Sequence, residues 1–474
     1  MLLLSRPFVW TRRGFALAGH LKRFRMSLAA LAAGALIAAP LHAQDIPNTQ
    51  QLTPELRALI QAYERIRNQY VDSTDDHKLV TAAINGMVAS LDPHSAFLDP
   101  DALSELRAGT RGQFTGLGID VSMEDGLVKV LSVTDGTPAY RAGLRTGDLL
   151  TKLGDVNVKG LTLAEAIARA RGKPDTDITL TVLRDGDPAP RIVTLKRTVI
   201  RVHSVEHSLL EPGIGYVRIT QFQERTGDEL VRALGQLWHE SAAPMRGIVL
   251  DLRDNPGGLL RAAVAVCAAF LPEDAPVVYT EGRNAESKRQ FLASSRYYLR
   301  GEQEDFMQRL PAGAKNVPLV LLVNNASASA SEIVAAALQD HGRAMVVGTQ
   351  TFGKGSIQAV FTLEDGSAVK LTTALYLTPK GRYIQARGVT PDILVEAAEG
   401  ASAEQVDHLR EADLEHHLHG AGEPAKTHAV AAVPDARPRP PVPAVRPPAV
   451  GGEADPQLRR ALELLKHLRL ADNR

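Results

Sequence analysis

Three uninterrupted apolar runs constrain this chain most: "GIVLDLR" (residues 247–253), "PLVLLVN" (318–324) and "AMVVG" (344–348). Runs that do not alternate with polar residues predict strands buried on both faces. Helical patterns separate them at residues 258–271 and 331–338. "GIGYVRIT" (213–220) precedes them, followed by a helix with Leu230, Val231, Leu234, Leu237 and Trp238 on one face. Strands joined by helices predict a largely parallel α/β layer. Such sheets carry their reactive groups at the carboxyl ends of strands.

The chain has 474 residues, 44% of them hydrophobic, and zero formal net charge, enough for two or three domains. That balance gives no footprint for nucleic acid. The single cysteine, Cys267, excludes an intramolecular disulfide and a lipid-accepting cysteine after a leader. Its apolar surroundings, "AAVAVCAAFL", read as core and not as a nucleophile.

Arg12, Arg13, Lys22, Arg23 and Arg25 precede a small apolar run (26–39) and "LHA" before Gln44, the order of a secretory signal peptide cleaved after Ala43. The run is shorter than the roughly 20 residues of a spanning helix. "TRRGFAL" (11–17) resembles a twin-arginine signal, and Met26 is an alternative start. The chain is therefore expected to be exported and periplasmic, with membrane association if the signal is retained.

The expected organisation is a signal peptide (1–43), an N-terminal helical region (44–108), a β-rich unit (109–198), the α/β core (199–396) and a C-terminal extension (397–474). The last holds a Pro-rich linker and a short amphipathic terminal helix. In the β-rich unit, strand-like segments flank "TPAYRAGLRTGDLL" and one amphipathic helix (163–171). It resembles a PDZ domain, with "GLGI" (Gly116, Leu117, Gly118, Ile119) in the place of the carboxylate-binding loop. Exposed N–H groups of such a loop bind a chain terminus while the peptide adds as a strand. His94 in "LDPHSAFLDP" reads as structural, since no partner carboxylate or serine signature lies nearby. "EHHLH" (415–419) reads as part of a solvated stretch rather than a metal site.

The chemistry starts from Gly348 and Gly353-Lys354, which have the spacing of a phosphate-binding loop. Gly355 stands where magnesium coordination needs Ser or Thr. The following residues alternate like a hairpin around Asp365-Gly366 instead of forming a helix. In "NNASASASE" (324–332) a buried strand gives way to a helix, which places Ser329 at the helix N-terminus, where free N–H groups suit an oxyanion. The competing reading makes the serines N-caps and Glu332 a dipole partner. His341 and Asp340 lie at the far end of that helix, on the order of 15 Å from Ser329 at about 1.5 Å per residue. Lys354 is the alternative base, because burial favours its neutral amine.

"DLRDNPGGLL", "SASASE", "TFGKGSIQ" and "LTPKGRYIQARGVTPDI", together with the PDZ-like unit, resemble the carboxyl-terminal processing (tail-specific) peptidases over about residues 50–395. The resemblance implies a Ser/Lys peptidase with a crotonase-like core. It makes Ser329 the nucleophile, Lys354 the base and Gln358 its support. An oxyanion hole would come from Ala330 with Gly257 or Gly258. No cofactor or metal is implied. The expected partners are proteins with apolar C-termini and a second copy of the chain, with an adaptor left open. The alternatives are a non-catalytic or gated PDZ scaffold and a nucleotide-using crotonase-like enzyme.

Overall fold

A computed structural model describes residues 53–301, 303–397, 409–420 and 455–472. The signal-like segment and the Pro-rich stretch lie outside the described residues. The chain divides into two units, Met1–Thr74 and Asp75–Arg474. The first contributes α1 (Pro54–Gln69), N-capped by Thr53, whose hydroxyl accepts from the Leu56 N–H.

The second unit begins with α2 (Asp76–Ala89), β1 (Ala96–Leu98) and α3 (Pro100–Arg111). β2 (Gln113–Gly116) then leads into the PDZ sheet: β3 (Ile119–Glu124), β4 (Leu127–Val133), α4 (Pro138–Arg141), β5 (Leu149–Leu153), β6 (Val156–Asn157), α5 (Leu163–Ala170), β7 (Asp177–Leu183) and β8 (Arg191–Lys196). The order is β3-β4-β5-β7-β8, with β6 on β5, so β3 is an edge strand. α5 starts with a capping box between Thr162 and Glu165, and its Ala166 joins Leu117, Val130 and Leu180 in the PDZ core. The chain returns through β9 (Thr198–Arg201), which pairs with β2, so entry and exit of the PDZ unit form one short ladder.

The peptidase sheet follows: β10 (Val205–Glu211), β11 (Ile214–Ile219), α6 (Thr226–Glu240), β12 (Gly247–Asp251), α7 (Leu260–Phe270), β13 (Pro276–Glu281), β14 (Arg289–Leu292), α8 (Ser295–Tyr298), β15 (Leu319–Val323), α9 (Ala330–Asp340) and β16 (Met345–Gly348). β17 (Ser356–Thr362), β18 (Ala368–Leu377), β19 (Ile393–Leu394) and α10 (Pro456–Asp472) complete the fold. β11, β12, β15, β16 and β19 run parallel, with β10 antiparallel on the edge. A second sheet is antiparallel, in the order β1-β18-β13-β14, with the β17–β18 hairpin at its centre.

The three apolar runs are buried on both faces, and different helices cover each side. Ile248, Leu250, Leu321 and Val346 share a core with α6, α7 and α9, whereas Val249, Val320, Leu322 and Val347 pack under Leu458, Ala461 and Leu465 of α10. Burial of each large α10 side chain contributes about 1.5–3 kcal/mol. Arg253, just past β12, fastens the start of α10 by hydrogen bonds to Asp455 (3.0 Å) and Gln457 (3.1 Å). The stretch 409–420 is only partly solvated: Glu415 and His416 are exposed, whereas Glu411 and Gly420 are buried, and a single helical turn spans Glu411–Asp413.

Candidate active site

The loops after β12, β15 and β16 meet at one end of the parallel sheet. After β15 the chain turns through Asn324–Ala328 and enters α9 at Ser329, which is buried and holds φ 54°, ψ −112°. A non-glycine residue at positive φ is costly, on the order of 1–3 kcal/mol, and persists only where its neighbours impose it. The three serines do different things. Ser327 donates to the Leu252 carbonyl (2.8 Å) and Ser331 to the Asn255 carbonyl (2.8 Å), stapling the elbow to the loop after β12. The middle serine has no such bond, and the buried Tyr376 phenol of β18 stands beside it. Burial pushes that phenol up to about 12, while Ser329 pulls the other way.

The "NPGG" loop lies against the elbow. A Cβ on Gly257 would fall 2.8 Å from the Ser329 Cβ and 2.9 Å from the Ala330 nitrogen. Asn255, fully buried, donates to the Ile219 carbonyl (2.7 Å) and accepts from the Gly257 N–H (2.9 Å). The Gly257 N–H is thereby occupied. The N–H groups of Gly258 and Ala330 have no acceptor among the described residues.

Glu332, one turn into α9, does far more than face a helix dipole. Its buried carboxylate accepts from the Ser329 N–H (2.8 Å), the Thr351 hydroxyl (2.6 Å), the Gly353 N–H (2.7 Å) and the Lys354 N–H (2.9 Å). Burial raises its pKa to about 7 against the pull of those donors. One side chain thus ties the serine elbow to the lysine loop.

That loop carries glycines for a steric reason. Gly353 has φ 99° and its carbonyl accepts from the Ala386 N–H (2.9 Å), while a Cβ on Gly355 would sit 2.2 Å from the Gln385 nitrogen. Lys354 therefore lies in a backbone clamp where the phosphate reading of the same glycines has no helix to use. Desolvation lowers its pKa from 10.5 to about 8, Lys370 adding to the effect and Glu411, Asp92 and Glu332 opposing it. No hydrogen bond joins the Lys354 amine to Ser329. Gln358 donates to Ser356 (3.0 Å) and Thr372 (3.2 Å), leaving its side-chain oxygen without a donor among the described residues.

His341 donates from its ring Nε2 to the Pro276 carbonyl (2.7 Å), at the other end of α9. Cys267 is fully buried, and burial pushes its thiol up. His94 does have a carboxylate partner: Glu411, 2.8 Å away and 317 residues later in the chain. In the PDZ unit, Gly116 ends β2, Leu117 is buried, and Ile119 opens β3. Gly118 has φ 84°, and a Cβ there would strike Thr137 at 2.3 Å. The N–H groups of Leu117 and Gly118 have no acceptor among the described residues, beside the open edge of β3.

Sequence reasoning missed Asn255, Tyr376, Gln385 and Glu411. Asn255 had a signal, its place before Pro-Gly-Gly; the others sit in ordinary strand, turn or polar contexts.

A PDZ unit joined to an α/β core with a strained serine elbow defines a serine-type peptidase. Residues 213–395 match Peptidase family S41, residues 115–193 the PDZ domain, and residues 26–102 the activating protease CtpB N-terminal domain. A carboxy-terminal-processing protease of Bartonella bacilliformis is 42% identical over 383 residues, covering 80% of this chain and 84% of that protein. The carboxy-terminal processing protease CtpA of Bacillus subtilis is 35% identical over 350 residues, 74% of this chain and 71% of its own. A solved photosystem II D1 C-terminal processing protease is 31% identical, with TM-score 0.41 over 73% of this chain and 94% of that one. The chain belongs to the carboxy-terminal processing proteases of family S41. No helix among the described residues is long and apolar enough to cross a membrane.

Proposed function

We propose that the chain is an exported Ser/Lys endopeptidase that captures protein C-termini in its PDZ unit and cleaves through an acyl-enzyme. The observation that carries this reading is the Glu332 carboxylate, which accepts from both the Ser329 and the Lys354 backbone N–H groups. Neutral Lys354 takes the proton from Ser329 as its oxygen attacks the scissile carbonyl. The developing oxyanion meets the free N–H groups of Gly258 and Ala330, each such donor contributing about 3–4 kcal/mol of barrier lowering. The amine leaves with the proton from Lys354, and water activated by the same lysine hydrolyses the ester. The unoccupied Gln358 oxygen supports its role as acceptor for the lysine amine.

The free N–H groups at Leu117 and Gly118 and the open β3 edge support carboxylate capture with strand addition, apolar C-terminal residues being preferred. We further propose that the PDZ unit spans 109–198 and the peptidase core 199–396, that residues 1–43 direct export to the periplasm, and that the enzyme is a homo-oligomer. A second reading, a gated enzyme, is favoured by the missing Ser329–Lys354 hydrogen bond and by Tyr376 beside the serine.

The test uses residues 44–474 and an unfolded protein ending in apolar residues. Wild type should degrade it, and Ser329→Ala and Lys354→Ala should not while remaining folded and able to bind the tail. Retained cleavage by either variant sinks the dyad. Binding without cleavage by all three forms favours the gated reading.

A further inference from the structure

We infer that Glu411, beyond the end of the peptidase core in sequence, is a positioning residue for Lys354, an assignment that rests on Lys354 being the base.

Glu411 grips the lysine loop on both sides of Lys354. Its backbone N–H donates to the Phe352 carbonyl (3.1 Å). Its carboxylate accepts from the Gln385 amide (2.8 Å), whose oxygen accepts from the Gly355 N–H (2.9 Å). Gln385 also donates to the Leu418 carbonyl (3.0 Å), so both groups of its amide are used inside the protein. Glu411 and Gln385 are both fully buried, and a buried network with every member satisfied is rigid.

The same carboxylate meets His94 in the turn before β1 (2.8 and 3.0 Å). In that turn Asp92 accepts from the His94 N–H (2.9 Å), from Ser95 (2.6 Å) and from Thr372 (3.0 Å). Thr372 in turn accepts from Gln358. The links therefore run in series from the lysine loop through Gly355, Gln385, Glu411, His94, Asp92, Thr372 and Gln358, and return to it where Gln358 donates to Ser356. Three chain segments that no local pattern connects thus converge on the loop that carries the lysine. The charged and titratable groups around Lys354 are Glu332 on α9, Lys370 on β18, Asp92 and His94 in the turn before β1, and Glu411 itself.

Removing the Glu411 side chain frees the Gln385 amide and loosens the Gly355 side of the clamp. A lysine displaced by a fraction of an ångström slows proton transfer without touching the tail-binding groove. Removing only its charge leaves a less negative surrounding, so the lysine loses its proton at lower pH.

The experiment compares wild type, Glu411→Ala, Glu411→Gln and Lys354→Ala as full exported chains, measuring kcat, KM, the acid limb of kcat against pH, and melting temperature. In Glu411→Ala the plateau kcat is expected to fall about tenfold or more, the scale of a small misplacement at a reacting group, with KM within about twofold. In Glu411→Gln the acid limb should move to lower pH while most of the plateau rate is kept. A wild-type plateau in Glu411→Ala, or an unshifted limb in Glu411→Gln, overturns the assignment. Should Glu411→Ala fail to fold, the limb of Glu411→Gln decides alone. Lys354→Ala separates the two claims: if it still cleaves, the base assignment falls, and if it is dead while Glu411→Ala runs at the wild-type rate, only the positioning role falls.

Discussion

The PDZ sheet draws its buried core from one continuous stretch, Leu117 to Leu195, whereas the peptidase sheet is finished by segments from both ends of the chain. β1 adds a strand to β18 from near residue 96, Glu411 ties down the lysine loop, and α10 packs on one face of the parallel sheet. The PDZ unit can therefore satisfy itself locally, and the peptidase core cannot. A binding module built this way can be carried between proteins. A catalytic centre assembled from distant segments is complete only when the whole unit is folded.

Four outcomes would break or sharpen that contrast. The largest effect concerns fragments: residues 109–198 expressed alone should give a cooperative melt and bind apolar-ended peptides, whereas residues 199–396 alone should neither melt cooperatively nor cleave. A well-folded, active 199–396 fragment would erase the distinction. Next comes Glu332→Ala, which strands four donors around the elbow. Its kcat should fall about 100-fold, the scale of misplacing a reacting group, and its melting temperature should drop while PDZ tail binding is unchanged.

Smaller is Leu465→Ala on α10, a large-to-small core change that should cost about 2–4 kcal/mol. Denaturant unfolding followed by a core probe should show that loss, and the PDZ transition should stay where it is. The smallest is the pH profile. Lys354 has its pKa lowered to about 8 by desolvation, and the proposed base role requires its neutral amine, so on that proposal kcat should rise with pH through about 8 and level off above it. A rate already flat from pH 6 upward would mean that a different group takes the proton.

The legible part of the molecule was local. Uninterrupted apolar runs gave the parallel strands, since a strand covered on both sides has no place for alternating polar residues. The turn at Asp365-Gly366 marked the β17–β18 hairpin, and "GLGI" marked the PDZ loop. The glycines around Lys354 were visible, but their reason was not, because the backbone of Gln385 and Ala386 that presses on them comes from a loop some 30 residues away. Glu332 read as a helix-dipole residue because three of its four donors lie across the site, on the loop after β16.

By itself the sequence determined which stretches become buried strands, where the glycine-rich loops must turn, and that a serine in a run of small residues sits at a helix start beside a loop carrying lysine. Those are consequences of side-chain size, polarity and spacing along one stretch of chain. Only the tertiary structure decided which two of the three serines are tied to carbonyls of the loop after β12, which glycine N–H remains unpaired, what covers the second face of the sheet, and that His94 has Glu411 for a partner. Each of these depends on which polar groups meet after distant segments pack. A part-buried hydrogen bond between residues 317 positions apart leaves no periodic trace in the sequence on either side.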